Sequence, residues 1–179
     1  MGKNIVQKAE EEILKGRTHQ EIFNEIAHHT DHSIHEIGDN IRKIVTPAKR
    51  KKYRILNYLL VLLMLCTFSV NTWSISRIGF EIFPVISIAV IIFLIYVCLK
   101  FKPDAHLVAG GLMSVSILRN IFYFSLGSNY LFIPVLLIML LAAVIAFYLA
   151  WKLPADYRMN KELLKENSDQ RENALIFND

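Results

Sequence analysis

The chain has 179 residues, 54% of them hydrophobic, and a mean hydropathy of +0.36, which argues against an ordinary soluble domain, whose apolar share is ~45–50%. The net charge of +4 is unevenly spread: residues 1–54 hold 11 Lys/Arg and 8 Asp/Glu, residues 55–152 only 5 and 2, and the last 27 residues 4 and 6. A charge-poor middle between charged ends reads as a membrane block, so the pI of about 9.1 reflects membrane-flanking lysines and arginines rather than a nucleic-acid surface.

The first fifty residues are polar and offer no short apolar core of a secretory signal, so insertion is expected to begin at the first internal apolar segment. Residues 3–46 read as three short helices. Ile5, Val6, Ala9 and Ile13 form an apolar stripe at helical spacing that Gly16 ends. Thr18 with Glu21, and Ser33 with Glu36, have the spacing of capping boxes. The second helix carries Ile22, Phe23 and Ile26, and the third carries Ile34, Ile37, Ile41 and Ile44. So few large apolar side chains make a thin core, and the unit is expected to dock on a partner protein.

The pair of helices from Thr18 to Ile44 has the outline of a helix-turn-helix. Its acids outnumber Arg42 and Lys43, so a phosphate-facing role is disfavoured and direct nucleic-acid binding is not expected. Five histidines fall here: His19, His28, His29, His32 and His35. His28 and His32 have the i,i+4 spacing of a metal pair, but a turn predicted at Thr30-Asp31 separates them. Solvated or helix-terminal positions, with a pH-responsive patch as the alternative, are the expectation; no metal or cofactor is assigned.

Thr46-Pro47 starts a further helix. It runs through a juxtamembrane segment, 47–54, whose Lys49, Arg50, Lys51, Lys52 and Arg54 form a basic anchor for membrane lipid. Four segments are apolar enough for spans of about 20 residues: 55–73, 80–99, 105–126 and 130–151. The breaks at Ser74–Gly79, Lys100–Asp104 and Gly127–Asn129 are short, which forces antiparallel neighbours. Lys100 and Lys102 sit in the middle break and Lys152, Arg158, Lys161 and Lys165 follow the last span, whereas the first break has only Arg77 and the third no basic residue. This asymmetry puts both termini in the cytoplasm of a cell (inner) membrane protein. Trp73, Tyr130 and Trp151 fall at expected interfaces. Cys66 and Cys98 lie within spans, without a CxxC partner, and read as small hydrophobes. Ala142, Ala146 and Ala150, and Gly110 with Ser114, form small-residue stripes suited to packing within the bundle or to a homo-oligomer seam.

The tail, 153–179, begins at Leu153-Pro154. Ala155–Glu166 reads as a short surface helix, and Leu175-Ile176-Phe177 as an apolar terminus able to bind a partner. The expected fold is therefore all-α: a four-helix transmembrane bundle behind a small N-terminal cytoplasmic helical unit.

No Walker loop, GxSxG, CxxC or dinucleotide fingerprint is present, and the chain is not expected to be an enzyme. The polar exception is Arg119-Asn120 within the third span, with Glu81 at the outer end of the second. A charge in a span is a functional candidate, here a gate or ligand site; a structural ion pair is the competing reading. A small transporter or oligomeric pore using Arg119, Asn120 and nearby Asn71, Ser114 and Ser116 is the alternative function.

Lys8-Ala9, Gly16-Arg17-Thr18, Glu21-Ile22-Phe23, Tyr53 and Leu56-Asn57-Tyr58-Leu59 resemble a stretch of small bacterial membrane proteins. The layout of a polar helical N-terminus and four spans resembles the multi-pass accessory proteins encoded beside type VI CRISPR RNA-cleaving effectors. That resemblance implies an antiviral-defence role in modulating, most simply repressing, the effector. Some of those accessory proteins carry an RNase-like Arg and His at close spacing; this sequence has no such pair, so the resemblance implies regulation without catalysis by this chain.

Overall fold

The computed structural model describes residues 3–29, 33–78, 82–124, 132–159 and 175–178. It is predominantly helical, with seven helices and one two-stranded sheet among the described residues. The chain divides into two compact units, residues 1–52 with 152–179, and residues 53–151.

The first unit begins with α1 (Lys3–Leu14), which buries Ala9 and Ile13. Gly16, at φ +104°, closes it: its amide bonds the Ile13 carbonyl at 3.0 Å and the Arg17 amide bonds that of Glu12 at 3.2 Å. This is a Schellman cap, and glycine takes the left-handed position at least cost. Helix α2 (His19–His29) starts from a reciprocal capping box. The Glu21 amide bonds Thr18 Oγ1 at 3.2 Å and the Thr18 amide bonds Glu21 Oε2 at 3.3 Å. Helix α3 (Ile34–Arg42) is capped by Ser33, whose Oγ accepts from the Glu36 amide at 3.2 Å. The expected turn at Thr30-Asp31 lies outside the described residues.

The tail departs from expectation. In place of a surface helix from Ala155, β1 (Asp156–Met159) pairs antiparallel with β2 (Leu175–Asn178), Tyr157 opposite Phe177 and Met159 opposite Leu175. Residues 160–174 lie outside the described residues. Leu175 and Phe177 alternate with exposed Ile176 and are buried in one core with Ile13, Ile22, Phe23, Ile37 and Ile41. A period-2 apolar pair on a β-prone segment fits a half-buried strand, which is why Leu175-Ile176-Phe177 is part of this unit's own core and not a free apolar end. Gly38 makes room for it: a Cβ there would collide with Leu175 Cδ1.

The second unit continues α4 (Pro47–Ile78) beyond residue 52, followed by α5 (Ile82–Leu99), α6 (Pro103–Phe124) and α7 (Phe132–Lys152). Pro47 begins α4 as expected, but the helix passes through Ser74 to Ile78, because no glycine or proline occurs before Gly79. The Gly127–Asn129 break lies outside the described residues. Among the described residues, two helical segments are long and apolar enough to cross a membrane, Pro47–Ser69 and Ile133–Lys152, and Ala89–Leu99 is a shorter apolar helix. Helix α6, with Asp104, His106 and Arg119, is not among them.

Buried positions recur every three or four residues: Leu60 and Met64 on α4, Leu94 and Cys98 on α5, Ala105, Ala109 and Met113 on α6, and Met139, Ala142, Ala146 and Leu149 on α7. The outward faces are apolar too, with Ile55, Phe93, Leu118, Leu137 and Trp151 all exposed. Both cysteines are free, Cys98 buried and Cys66 exposed. Gly110 lies under the Phe147 ring, a Cβ being 3.0–3.1 Å from three ring atoms, so the small residue there does let α6 and α7 approach.

Phe177→Ala is expected to destabilise the first unit by about 3 kcal/mol through the cavity it leaves beside Phe23. Denaturant unfolding followed at first-unit amides should show it, with the second unit unaffected. Gly38→Val should be at least as damaging, since it evicts Leu175; a neutral effect of both would mean β2 does not pack on α3.

Candidate functional site

The basic segment is not a uniform lipid anchor. Lys49 Nζ donates to the Pro154 carbonyl at 3.1 Å. Arg50 Nε donates to the Val45 carbonyl at 3.1 Å, and Nη2 lies 3.5 Å from Glu10 Oε1. These two side chains hold the first unit together. Lys51 and Lys52 are exposed, and Arg54 lies over the Tyr58 ring, Nε 3.3 Å from its hydroxyl. Of the basic residues in this segment, Lys51, Lys52 and Arg54 are the exposed ones.

His19 is not solvated. It is fully buried, stacks on Phe177 with ring centroids 5.8 Å apart, and its Nε2 donates to the Ile44 carbonyl at 2.7 Å. Ile44 and Val45 are buried in the connection from α3 to α4, where carbonyls need partners. His19 and Arg50 supply them. A period-based reading misses this because a histidine on an apolar face looks polar until a loop carbonyl is placed against it. His35 is exposed. His32 and the side chains of His28 and His29 lie outside the described residues, and among described residues no cluster of metal-ligating side chains occurs.

The most elaborate polar contact of the first unit clamps the terminal strand. Gln20 Nε2 donates to the Leu175 carbonyl at 3.1 Å while its Oε1 accepts from the Phe177 amide at 3.0 Å. One side-chain amide thus copies a neighbouring strand for the free edge of β2. On β1, the Tyr157 hydroxyl donates to Asp39 Oδ1 at 3.1 Å and the Arg42 guanidinium lies over its ring at 5.6 Å. Burial, and then the Asp39 carboxylate, push the Tyr157 phenol above its ordinary value. The Ala155 amide bonds the Arg42 carbonyl at 2.8 Å, satisfying an end group of α3. The exposed face carries an ion network: Arg17 Nη1 is 2.8 Å from Glu25 and 3.7 Å from Glu12, and Lys15 is 2.7 Å from Glu12.

In the second unit, Arg119 and Asn120 belong to α6, but their side chains, and Glu81 altogether, lie outside the described residues. The polar group that is described was passed over in sequence. Asn57 and His106, both fully buried, face each other with His106 Nε2 2.8 Å from Asn57 Oδ1. His106 Nδ1 is 2.9 Å from the Lys102 carbonyl, and Asn57 Nδ2 donates to the Cys98 carbonyl at 3.0 Å. The available signal was that both are hydrogen-bonding residues inside segments otherwise apolar in sequence. A cavity of about 40 Å³ lies deeper, lined by Met64, Thr67, Leu94, Ala109, Met113 and Met139 among others. It has room for a water molecule, against the ~300 Å³ or more of a typical ligand pocket.

The ion network sets a pH dependence. The Lys15 ammonium bonded to Glu12, and the Arg17 guanidinium bonded to Glu25, hold both carboxyls below their ordinary value of 4.5. A depressed folded-state value means that the stabilisation is present above about pH 4.5 and disappears as pH falls through the folded-state values. Hydrogen exchange at α1 and α2 amides should therefore accelerate on acidification beyond the intrinsic change. Arg17→Met should reduce that acid-specific part, by less than tenfold because the pairs are exposed. An unchanged profile in Arg17→Met would show that the network does not couple to stability. No protein family matches the chain, and no curated protein or solved structure matches it either.

Proposed function

We propose that this chain is a non-enzymatic membrane protein that acts as a regulatory adaptor through a cytoplasmic unit built from its two ends. The observation that carries this reading is the composition of that unit. Residues 1–52 and 152–179 form one compact body, covalently continuous with α4 on one side and α7 on the other. A folded unit tethered by two helices is suited to presenting a surface to a protein partner. The thin core inferred for the first 46 residues is thickened here by Ala155, Leu175 and Phe177, so the unit is better suited to binding a partner than to needing one for folding.

The same composition supports the topology. Because residues 1–52 and 152–179 belong to one unit, both ends lie on one side of a membrane and the crossings are even in number. Four crossings are supported by the three-residue link between α5 and α6, which obliges the two to pair antiparallel, and by the absence of any charge in α5. Outward apolar faces on all four helices suit lipid, or in places a second copy of the chain. The arrangement of Lys/Arg then favours an inner-membrane protein with both ends in the cytoplasm. The partner that fits the resemblance is an RNA-guided RNA-cleaving effector, which the unit would repress.

Two measurements test this. Single cysteines at Gly79, Asp104 and Ser128, in a background lacking Cys66 and Cys98, are probed with an impermeant thiol reagent on intact cells. Positions 79 and 128 should label and 104 should not; outside labelling at 104 overturns four crossings. Removing residues 2–46 together with 155–179, while keeping the basic segment and spans, should preserve insertion and abolish any effect on RNA cleavage by a co-expressed effector. Full modulation by that truncated chain would sink the adaptor reading and move attention to Arg119 and a transporter or pore.

A further inference from the structure

The Asn57–His106 contact contains a donor–acceptor conflict. Three bonds meet there: His106 Nδ1 with the Lys102 carbonyl, His106 Nε2 with Asn57 Oδ1, and Asn57 Nδ2 with the Cys98 carbonyl. A carbonyl only accepts, so Nδ1 must donate to Lys102 and Nδ2 must donate to Cys98. That orientation of the Asn57 amide leaves Oδ1, another acceptor, facing Nε2. Nε2 then has to donate as well. A neutral imidazole has one N–H, and two are required.

We propose that the Asn57–His106 pair is a proton-binding site whose occupancy is coupled to the hydrogen bond between α4 and the end of α5. With the proton bound at Nε2, all three bonds form and α4, α5 and α6 are joined. When that proton leaves, Nε2 becomes an acceptor and the 2.8 Å contact with Oδ1 is repulsive. The least motion that relieves it is a half-turn of the Asn57 amide, which brings Nδ2 to Nε2 and turns Oδ1 toward the Cys98 carbonyl, so the α4–α5 bond is lost. The alternative, shifting the remaining proton to Nε2, would break the bond to Lys102, which α6 holds in place by its own i,i−4 geometry.

The setting makes the conflict consequential. Both side chains are fully buried, so no solvent is at hand to supply a missing donor. Cys98 lies in the last turn of α5, where carbonyls lack helical partners. Its carbonyl already accepts from the Phe101 amide at 2.9 Å, Phe101 holding a left-handed φ of 55°, and Asn57 takes the second lone pair. The titratable groups around the pair are Lys102 before α6 and Asp104 in its first turn, Tyr96, Cys98 and Lys100 at the end of α5, Tyr53, Arg54 and Tyr58 on α4, and Tyr148 on α7. Lys100 is drawn over the Tyr96 ring, Arg54 over Tyr58, and Tyr53 meets Tyr148 edge-on. The ring nitrogens of His106 bond only Lys102 and Asn57 among the described residues. This inference rests on burial and hydrogen bonds within the second unit and does not depend on the adaptor reading.

The test uses the full-length chain in lipid nanodiscs. Imidazole ¹⁵N resonances of His106, identified by their loss in His106→Leu, report its protonation. Labelling with ¹³C′-Cys and ¹⁵N-Leu singles out the Cys98–Leu99 peptide, because Cys66 precedes a threonine. Between about pH 5 and 9, both ring nitrogens should pass from the imidazolium range to a neutral pattern, and the Cys98 carbonyl should shift with the same midpoint. In Asn57→Leu, where Nε2 no longer faces an acceptor, the ring should stay neutral and the Cys98 carbonyl should not shift. The proposal is overturned by a wild-type ring that stays neutral or stays charged throughout, by titration that leaves Cys98 unmoved, or by a shift at the Lys102 carbonyl in its place. If Asn57→Leu fails to fold, the wild-type measurement alone decides.

Discussion

A four-residue strand at the end of the chain fixes the organisation of the first unit. Leu175 and Phe177 reach the core shared by α1, α2 and α3, and Gln20 satisfies the strand edge that β1 leaves open. Burying two large apolar side chains is worth roughly 3–6 kcal/mol, while a domain is stable by only about 5–15 kcal/mol. Phe177 packs directly on Phe23, with ring centroids 5.6 Å apart. Gly38 permits the strand to come close.

Once the strand is in place, several separate side chains acquire one explanation. Phe177 brings its ring onto His19, Phe23 and Tyr157. His19 in turn bonds the buried carbonyl of Ile44, and Arg50 that of Val45. The carbonyls of the α3–α4 connection thus find partners within the unit. On the returning side, Ala155 and Pro154 are tied to Arg42 and Lys49. Entry and exit of the chain are pinned within the same small core, so the unit is closed by residues more than a hundred positions apart in sequence.

Much of this was legible in the sequence and some was not, for identifiable reasons. Helix starts at Thr18, Ser33 and Pro47, and the stop at Gly16, are local chemistry and read directly. The apolar stripe of α3 was visible from its spacing. Leu175-Ile176-Phe177 stood out as apolar, but four residues carry no information about what they pair with, since β-pairing is decided by a partner strand far away. The basic run at 49–54 looked uniform because charge is counted per residue; Lys49 and Arg50 differ from Lys51 and Lys52 only through the carbonyls near them. Asn57 and His106 were overlooked because a polar residue in an expected span draws notice by its charge, which singled out Arg119. The decisive property at Asn57 and His106 is the count of donors and acceptors, which needs three positions on three helices to be known together.

That count connects the two units in kind, though not in place. In each, the costly groups are loop or helix-end carbonyls withdrawn from water, and in each a histidine is brought to one. His19 brings Nε2 to the Ile44 carbonyl, an acceptor that one ring N–H satisfies. His106 meets two acceptors, Lys102 and Asn57, and a neutral ring cannot satisfy both. The same residue type is therefore a passive core member in one setting and a proton-dependent joint in the other. What separates them is one additional oxygen, held in position because Asn57 has committed its amide nitrogen to the end of α5.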